Sequence, residues 1–322
     1  MVAKSLVLLS MLLVGCTAAR SEPTCKTGLA ASAISESPAA GVRTPRPPSR
    51  VSAGFGQRWR DGKAEISGYR VTTMRYGEPR EGTSALIYVT EPMSRRTWIK
   101  DDHARGDDRV EALKLNHTLT FRTGIYPYSV MTSVFSPVES QGREPFTPAK
   151  ISLSVQEWCG HVYHQIYPKG DHFHSVIHSY FASEGDRAET VQTEEHPLYE
   201  DALLIQLREL DGPFLGGKTS WSGTLVPSLW STRKAHHPLK PVAAKLSREQ
   251  TTLNGAPVTR FTLERAGVRW TYDVERAPSR RVLAWSSTNG ERGTLLKTAR
   301  LPYWKLNGPG GEAYLEQVGL KP

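Results

Sequence analysis

Short segments of alternating apolar and polar residues, separated by turn-forming dipeptides, constrain the fold of this chain more than any other feature. The alternation is clear in residues 151–155 and 268–274, and it places successive side chains on opposite faces of an extended strand. Ala266-Gly267 and Asn289-Gly290 stand between such segments and suit the tight turns of hairpins. We therefore predict a mainly β protein made of antiparallel sheets, of sandwich or half-barrel type.

One segment carries a helical pattern. Pro197 stands where a helix can begin, and the acidic residues Glu200 and Asp201 follow in its first turns, where negative charge is favoured. Its apolar residues fall approximately along one stripe: Leu198, Ala202, Ile205 and Leu210. We predict one notable helix near residues 197–210, buried against the sheet.

Composition divides the chain into four parts. Residues 1–15 are predicted to be a signal peptide and residues 16–50 a disordered tether, in which 23 of the 35 residues are Ala, Ser, Thr, Pro or Gly. Residues 51–235 form a predicted N-terminal β-rich body, and residues 236–322 a C-terminal antiparallel meander. These two halves are expected either as separate bodies or packed into one continuous domain.

The amino terminus has the layout of an export signal. Lys4 precedes an apolar core at residues 6–14, which is too short to span a bilayer. The core ends in the sequence LVGC at residues 13–16, which resembles the lipobox of bacterial lipoproteins. The resemblance implies cleavage before Cys16 and attachment of acyl chains to its thiol, and more than one chain is needed for stable anchoring. Thr17 stands where an Asp would favour the inner membrane, so we expect anchoring at the outer membrane.

The net charge of +9 is spread along the chain and does not form a basic run. This distribution disfavours a nucleic-acid partner and is compatible with a membrane surface or an envelope polymer. Besides Cys16, the chain has Cys25 and Cys159, and whether these two form a disulfide is left open.

A histidine-rich hairpin is the main candidate site for chemistry. A two-residue turn at Lys169-Gly170 would place His161 opposite His178. One sheet face would then carry five potential zinc ligands: Glu157, Cys159, His161, His174 and His178. A pairing shifted by one residue would separate them, and the alternative is a hairpin whose histidines face solvent. Cys159 with His161 also allows a nucleophile and base, although neighbouring alternate positions do not imply attack geometry.

Several long stretches resemble an uncharacterised family of bacterial envelope lipoproteins. They include RYGE at 75–78, ALIYVTE at 85–91, FRTGIYPYSVMTS at 121–133 and QEWCGH at 156–161. Members often carry the label "septum formation inhibitor Maf". However, residues 29–38 lack the phosphate-binding arginines of Maf nucleotide pyrophosphatases. The resemblance therefore implies a family and no activity.

These features favour a membrane-anchored envelope lipoprotein of a non-enzymatic kind, which binds an apolar ligand or an envelope protein partner. Tyr126 and Tyr128, which flank Pro127, would then form an aromatic lip for such a ligand. No cofactor is expected on this interpretation. The alternative is a metal-dependent or Cys/His hydrolase, with zinc held by the hairpin at residues 157–178.

Overall fold

The computed structural model describes residues 51–52, 54–141, 143–214 and 217–321. The predicted signal peptide, Cys16, Cys25 and the tether at residues 16–50 lie outside the described residues. The described residues all belong to one compact unit. The predicted boundary at residue 235 falls within this unit, and strands from both sides of it belong to the same sheet.

The prediction of a mainly antiparallel β protein is confirmed. The strands are β1 (Ala64–Arg75), β2 (Glu78–Ser94), β3 (Arg109–Thr123), β4 (Tyr126–Pro137), β5 (Lys150–Glu157), β6 (Gly160–Pro168), β7 (His172–Ser179), β8 (Arg187–Gln192), β9 (Leu198–Tyr199), β10 (Ser220–Val226), β11 (Val242–Leu253), β12 (Ala256–Arg265), β13 (Val268–Glu275), β14 (Val282–Ser287) and β15 (Arg292–Leu301). The predicted turn at Ala266-Gly267 joins β12 to β13, and positive φ angles of 47° and 77° suit this type of hairpin turn.

All these strands belong to one sheet, in the order β8-β7-β6-β5-β4-β3-β2-β1-β15-β14-β13-β12-β11-β10-β9. Each strand pairs antiparallel with its neighbours, except that β9 and β10 are parallel. The first and last strands therefore meet in the middle of the sheet, where β1 pairs with both β2 and β15. The edges are β8 and the two-residue β9.

The sheet is strongly curved. The His117 ring on β3 lies 5.9 Å from the Trp285 ring on β14. Four strand spacings separate these strands, which is about 19 Å along a flat sheet. Near the two edges, Phe173 on β7 approaches Tyr199 on β9, with ring centroids 6.5 Å apart. The concave face therefore encloses the apolar core.

Three α-helices are described: α1 (Phe55–Trp59), α2 (Leu203–Glu209) and α3 (Leu229–Ala235). Short 3-10 segments cover Gly106–Asp108, Glu200–Ala202, Tyr303–Lys305 and Gly311–Val318. No helix among the described residues is long and apolar enough to cross a membrane.

Helix α2 confirms the predicted buried helix, although it is shorter than residues 197–210. Leu198 and Tyr199 are withdrawn from the helix because they pair as β9 with Leu225 and Val226. All seven α2 residues are buried. The helix packs on the concave face of the sheet, where the Tyr88 hydroxyl donates a hydrogen bond to the Leu204 carbonyl at 3.2 Å.

The carboxyl end of α2 is fixed by a buried ionic cluster. Arg208 Nη1 lies 2.7 Å from Glu65 Oε1, and the guanidinium carbon lies 4.4 Å from the Tyr88 ring centroid. The Trp59 indole N–H donates to Glu209 at 3.1 Å. Burial disfavours the charged guanidinium, but attraction to Glu65, Tyr88 and Glu209, together with the hydrogen bond to Glu65, outweighs this effect and raises the pKa of Arg208. The charged side chains at this end of the helix, Arg208 and Glu209, therefore both have partners within the protein.

Candidate functional site

The predicted register of the histidine-rich hairpin is wrong. Pro168 pairs with Phe173, and His178 lies opposite Tyr163 instead of His161. The turn is longer than two residues because the Lys169 N–H donates to the His172 carbonyl at 2.8 Å. The pairing is thus displaced by two residues, which preserves the face of each histidine.

The five predicted zinc ligands are not brought together. His161, His174 and His178 are exposed on the outer face of the sheet. Glu157 is buried. It pairs with Gly160, because β5 and β6 are joined by a two-residue turn that contains Cys159. Among the described residues, no group of three or more His, Cys, Asp or Glu could hold a metal ion. Zinc binding in solution stays a prediction.

The predicted nucleophile lacks activation. Cys159 is exposed in its turn, and its backbone N–H donates to Glu157 Oε2 at 2.8 Å. The hydrogen bond of the thiol to Glu157 raises the pKa of Cys159. A reactive cysteine needs the opposite shift, toward the thiolate.

The concave face of the sheet forms one side of a partly open cavity of about 120 Å³. Its lining is aromatic, aliphatic and acidic, and comes from β1, β3, β4, β13, β14 and β15 and from the segments around α2 and α3. It consists of Val71, Thr72, Thr73, His117, Leu119, Val130, Thr132, Val134, Glu200, Asp201, Leu204, Ser228, Trp230, Ser231, Trp270, Tyr272, Trp285, Glu291 and Arg292.

Strand alternation builds the aromatic wall. Trp270 and Tyr272 are two residues apart on β13, and Trp285 on β14 pairs directly with Tyr272, so all three share one face. The rings of Trp270 and Tyr272 are stacked, with centroids 6.2 Å apart. Trp230, from the first turn of α3, adds a third indole to the lining.

Two acidic residues before α2 hold the amino end of α3. Glu200 accepts a hydrogen bond from the Ser228 N–H at 2.9 Å, and Asp201 accepts one from the Leu229 N–H at 3.0 Å. Glu200 also forms an ion pair with Arg265 at 2.7 Å. No described basic residue forms an ion pair with Asp201, and burial raises its pKa to about 6.

The other titratable groups around the cavity are neutral or paired. Burial lowers the pKa of His117 to about 4, so its ring is uncharged near neutral pH. Glu291 forms an ion pair with Lys234, whose pKa burial lowers to about 8. Arg292 lies 3.5 Å from Glu81.

Of the two tyrosines in the predicted aromatic lip, one belongs to the apolar core. Tyr128 is buried and stacks on Phe121 with centroids 4.6 Å apart, while Tyr126 is half-buried against Trp158. Phe121 in turn lies 6.3 Å from Trp230. The lip residues therefore connect by ring contacts to the wall of the cavity.

Comparison of the chain with models of known families, with curated proteins and with solved structures finds no match.

Proposed function

We propose that this chain is a membrane-anchored envelope lipoprotein that binds a small ligand in the cavity enclosed by the curved sheet. The observation that carries the proposal is a partly open cavity with apolar and aromatic walls and a few polar groups, which is the usual composition of a small-molecule site. Its volume of about 120 Å³ is similar to the roughly 150 Å³ of a protein cavity that holds benzene. The expected occupant is a single ring or a compact branched group.

Binding is favoured over the hydrolase alternative by the placement of the reactive groups. The exposed histidines lie on the outer face of the sheet, and the pKa of Cys159 is raised. Neither His161 nor Cys159 lines the cavity. The polar groups that do line it are suited to holding a ligand in one orientation.

Cavity filling tests the binding proposal. Thr132 on β4 lines the cavity and is buried, so Thr132→Phe puts a ring into the space. Its neighbour Met131 is 39 % exposed, and Met131→Phe is the matched control. A panel of monocyclic compounds is titrated into the purified protein, and its tryptophan fluorescence, to which the three cavity tryptophans contribute, is followed. We expect a saturable fluorescence change in the wild type and in Met131→Phe. In Thr132→Phe the affinity for the same compounds should fall at least about tenfold. Equal affinity in both variants would remove the proposal.

Metabolic labelling with a palmitate analogue tests the proposed anchor. Label should enter the wild type and Cys25→Ser, and it should be absent from Cys16→Ser, because only Cys16 ends the lipobox-like sequence. Cell fractionation then assigns the labelled protein to the outer or inner membrane. Label retained in Cys16→Ser would contradict the anchor.

A further inference from the structure

We infer that the ligand of the cavity is an organic cation whose ammonium group lies between the aromatic wall and Asp201. This inference rests on the proposed binding function and names the chemical class of the ligand. Three kinds of observation support it: the balance of charges at the cavity, the composition of its wall, and its size.

Among the described residues, one carboxylate at the cavity forms no ion pair with a cation. Three of the four charged residues in the lining have partners within the protein: Glu200 pairs with Arg265, Glu291 with Lys234, and Arg292 with Glu81. The fourth, Asp201, accepts hydrogen bonds, including one from the Leu229 N–H, and is attracted by Arg265, but it forms no ion pair with a described residue. A cationic ligand would supply the missing countercharge.

The surroundings of Asp201 explain why a ligand cation would be favourable there. The side chain of Asp201 is half-buried. Desolvation raises the pKa of its carboxyl group, hydrogen bonds from Leu229 and Ser228 lower it, Glu200 raises it and Arg265 lowers it weakly. A partly desolvated carboxylate that forms no ion pair attracts an ammonium group more strongly than an exposed carboxylate does.

The aromatic wall suits the same group. Trp230, Trp270, Tyr272 and Trp285 all line the cavity. The electron-rich faces of indole and phenol rings attract cations, and quaternary ammonium ligands are commonly held by several aromatic rings together. An anionic ligand would find less support, because the lining arginine, Arg292, already pairs with Glu81 and carboxylates are more numerous.

Size limits the cation to a compact one. A space of about 120 Å³ admits a trimethylammonium group or a short primary amine, and is too small to hold a whole phospholipid within it. Choline and tetramethylammonium are therefore suitable probes. The uncharged analogue of choline, in which carbon replaces nitrogen, has almost the same shape and isolates the effect of charge.

The experiment compares these probes on the full-length protein by tryptophan fluorescence and calorimetry. We expect choline to bind about tenfold or more tightly than its uncharged analogue. Asp201→Asn should remove this preference and leave the affinity for the analogue unchanged, since an amide oxygen still accepts the Leu229 N–H. Glu249→Gln, which removes an exposed carboxylate on β11, should retain the preference.

The outcomes separate this inference from the binding function. Equal binding of choline and its analogue, or tighter binding of the analogue, would overturn the inference and leave the cavity as a site for neutral ligands. Retention of the choline preference in Asp201→Asn would overturn the role of Asp201. Failure of every compound in the monocyclic panel, together with failure of both choline probes, would instead remove the binding function itself. Circular dichroism of each variant confirms that it is folded.

Discussion

The two ends of the segment that contains α2 differ in how their charged side chains are paired. At the carboxyl end, Arg208 and Glu65 form a buried ion pair, and Glu209 accepts from Trp59. At the amino end, Glu200 has Arg265, whereas Asp201 forms no ion pair with any described residue and borders the cavity. The same stretch therefore combines a closed ionic cluster, which fixes the helix, with a carboxylate that remains available to a ligand.

Removal of Arg208 should disrupt the ionic cluster at the carboxyl end of α2 and cause the largest loss of stability. Arg208→Met removes the nearer charged partner of the buried Glu65 and leaves Arg300 at 3.9 Å, so the free energy of unfolding should fall by about 3–5 kcal/mol. Arg269→Met is the control, because Arg269 is 59 % exposed in its pair with Glu264 and should contribute at most about 1 kcal/mol. Denaturant unfolding measures both variants. Equal losses would contradict the assignment of the Arg208 cluster as the anchor of α2.

Acid should weaken the protein through its buried histidines. Burial lowers the pKa of His164 to about 4, below the usual 6.5, so the unfolded chain binds a proton more readily than the folded one. The stability due to neutral His164 is complete above about pH 6.5 and is lost as the pH falls toward 4. Between pH 7 and 4.5 we expect His164→Gln to lose about 2 kcal/mol less stability than the wild type. Unfolding curves at the two pH values measure this, and His178→Gln, at an exposed position, should behave as the wild type does.

Neutralising Asp201 should raise the free energy of unfolding, whereas the change at Arg208 lowers it. The pKa of Asp201 is raised by burial to about 6, from an ordinary value of 3.8, so its ionised form destabilises the folded state. This destabilisation grows as the pH rises through 6 and disappears at pH 4. Asp201→Asn should therefore raise the free energy of unfolding by about 1–2 kcal/mol at pH 8 and by almost nothing at pH 4. A loss of stability at pH 8 would mean that Asp201 already has a cationic partner.

Substitutions of exposed histidines on the outer face of the sheet should change the stability least. His161→Ala and His178→Ala remove exposed side chains, and each should alter the free energy of unfolding by less than about 0.5 kcal/mol. Added zinc tests the metal prediction in the same assay. A zinc-dependent rise in Tm that is lost in His161→Ala would show that these histidines do hold a metal.

The local pattern predicted the strands well and the site poorly. Alternation identified β12, β13 and the turn between them, because side-chain period and turn chemistry are local properties. The pairing of β1 with β15 depends on contacts between distant residues, and the pattern gives no sign of it. The hairpin register failed because a single hydrogen bond, from Lys169 to His172, decides the turn length.

The cavity was missed for a related reason. Trp270, Tyr272 and Trp285 were recognisable as strand residues, and their shared face follows from two adjacent strands. Their meeting with Asp201 requires the curvature of the whole sheet, which no local segment specifies. Three tryptophans and a tyrosine near two consecutive acidic residues would have been a usable signal only with the strand order known.

The central position of β1 has a consequence for how the chain is made. The β8 and β9 edges are joined by the short segment between Gln192 and Leu198, whereas the middle of the sheet joins Ala64 to Leu301. During synthesis, β1 to β8 can pair in order as they leave the ribosome, but one side of β1 stays open until the last strand arrives. Such late, long-range pairing is slow and exposes a strand edge that can aggregate. A chain that stops before β15 would therefore keep most of its strands and still lack a protected edge, which makes folding sensitive to loss of the C-terminal residues.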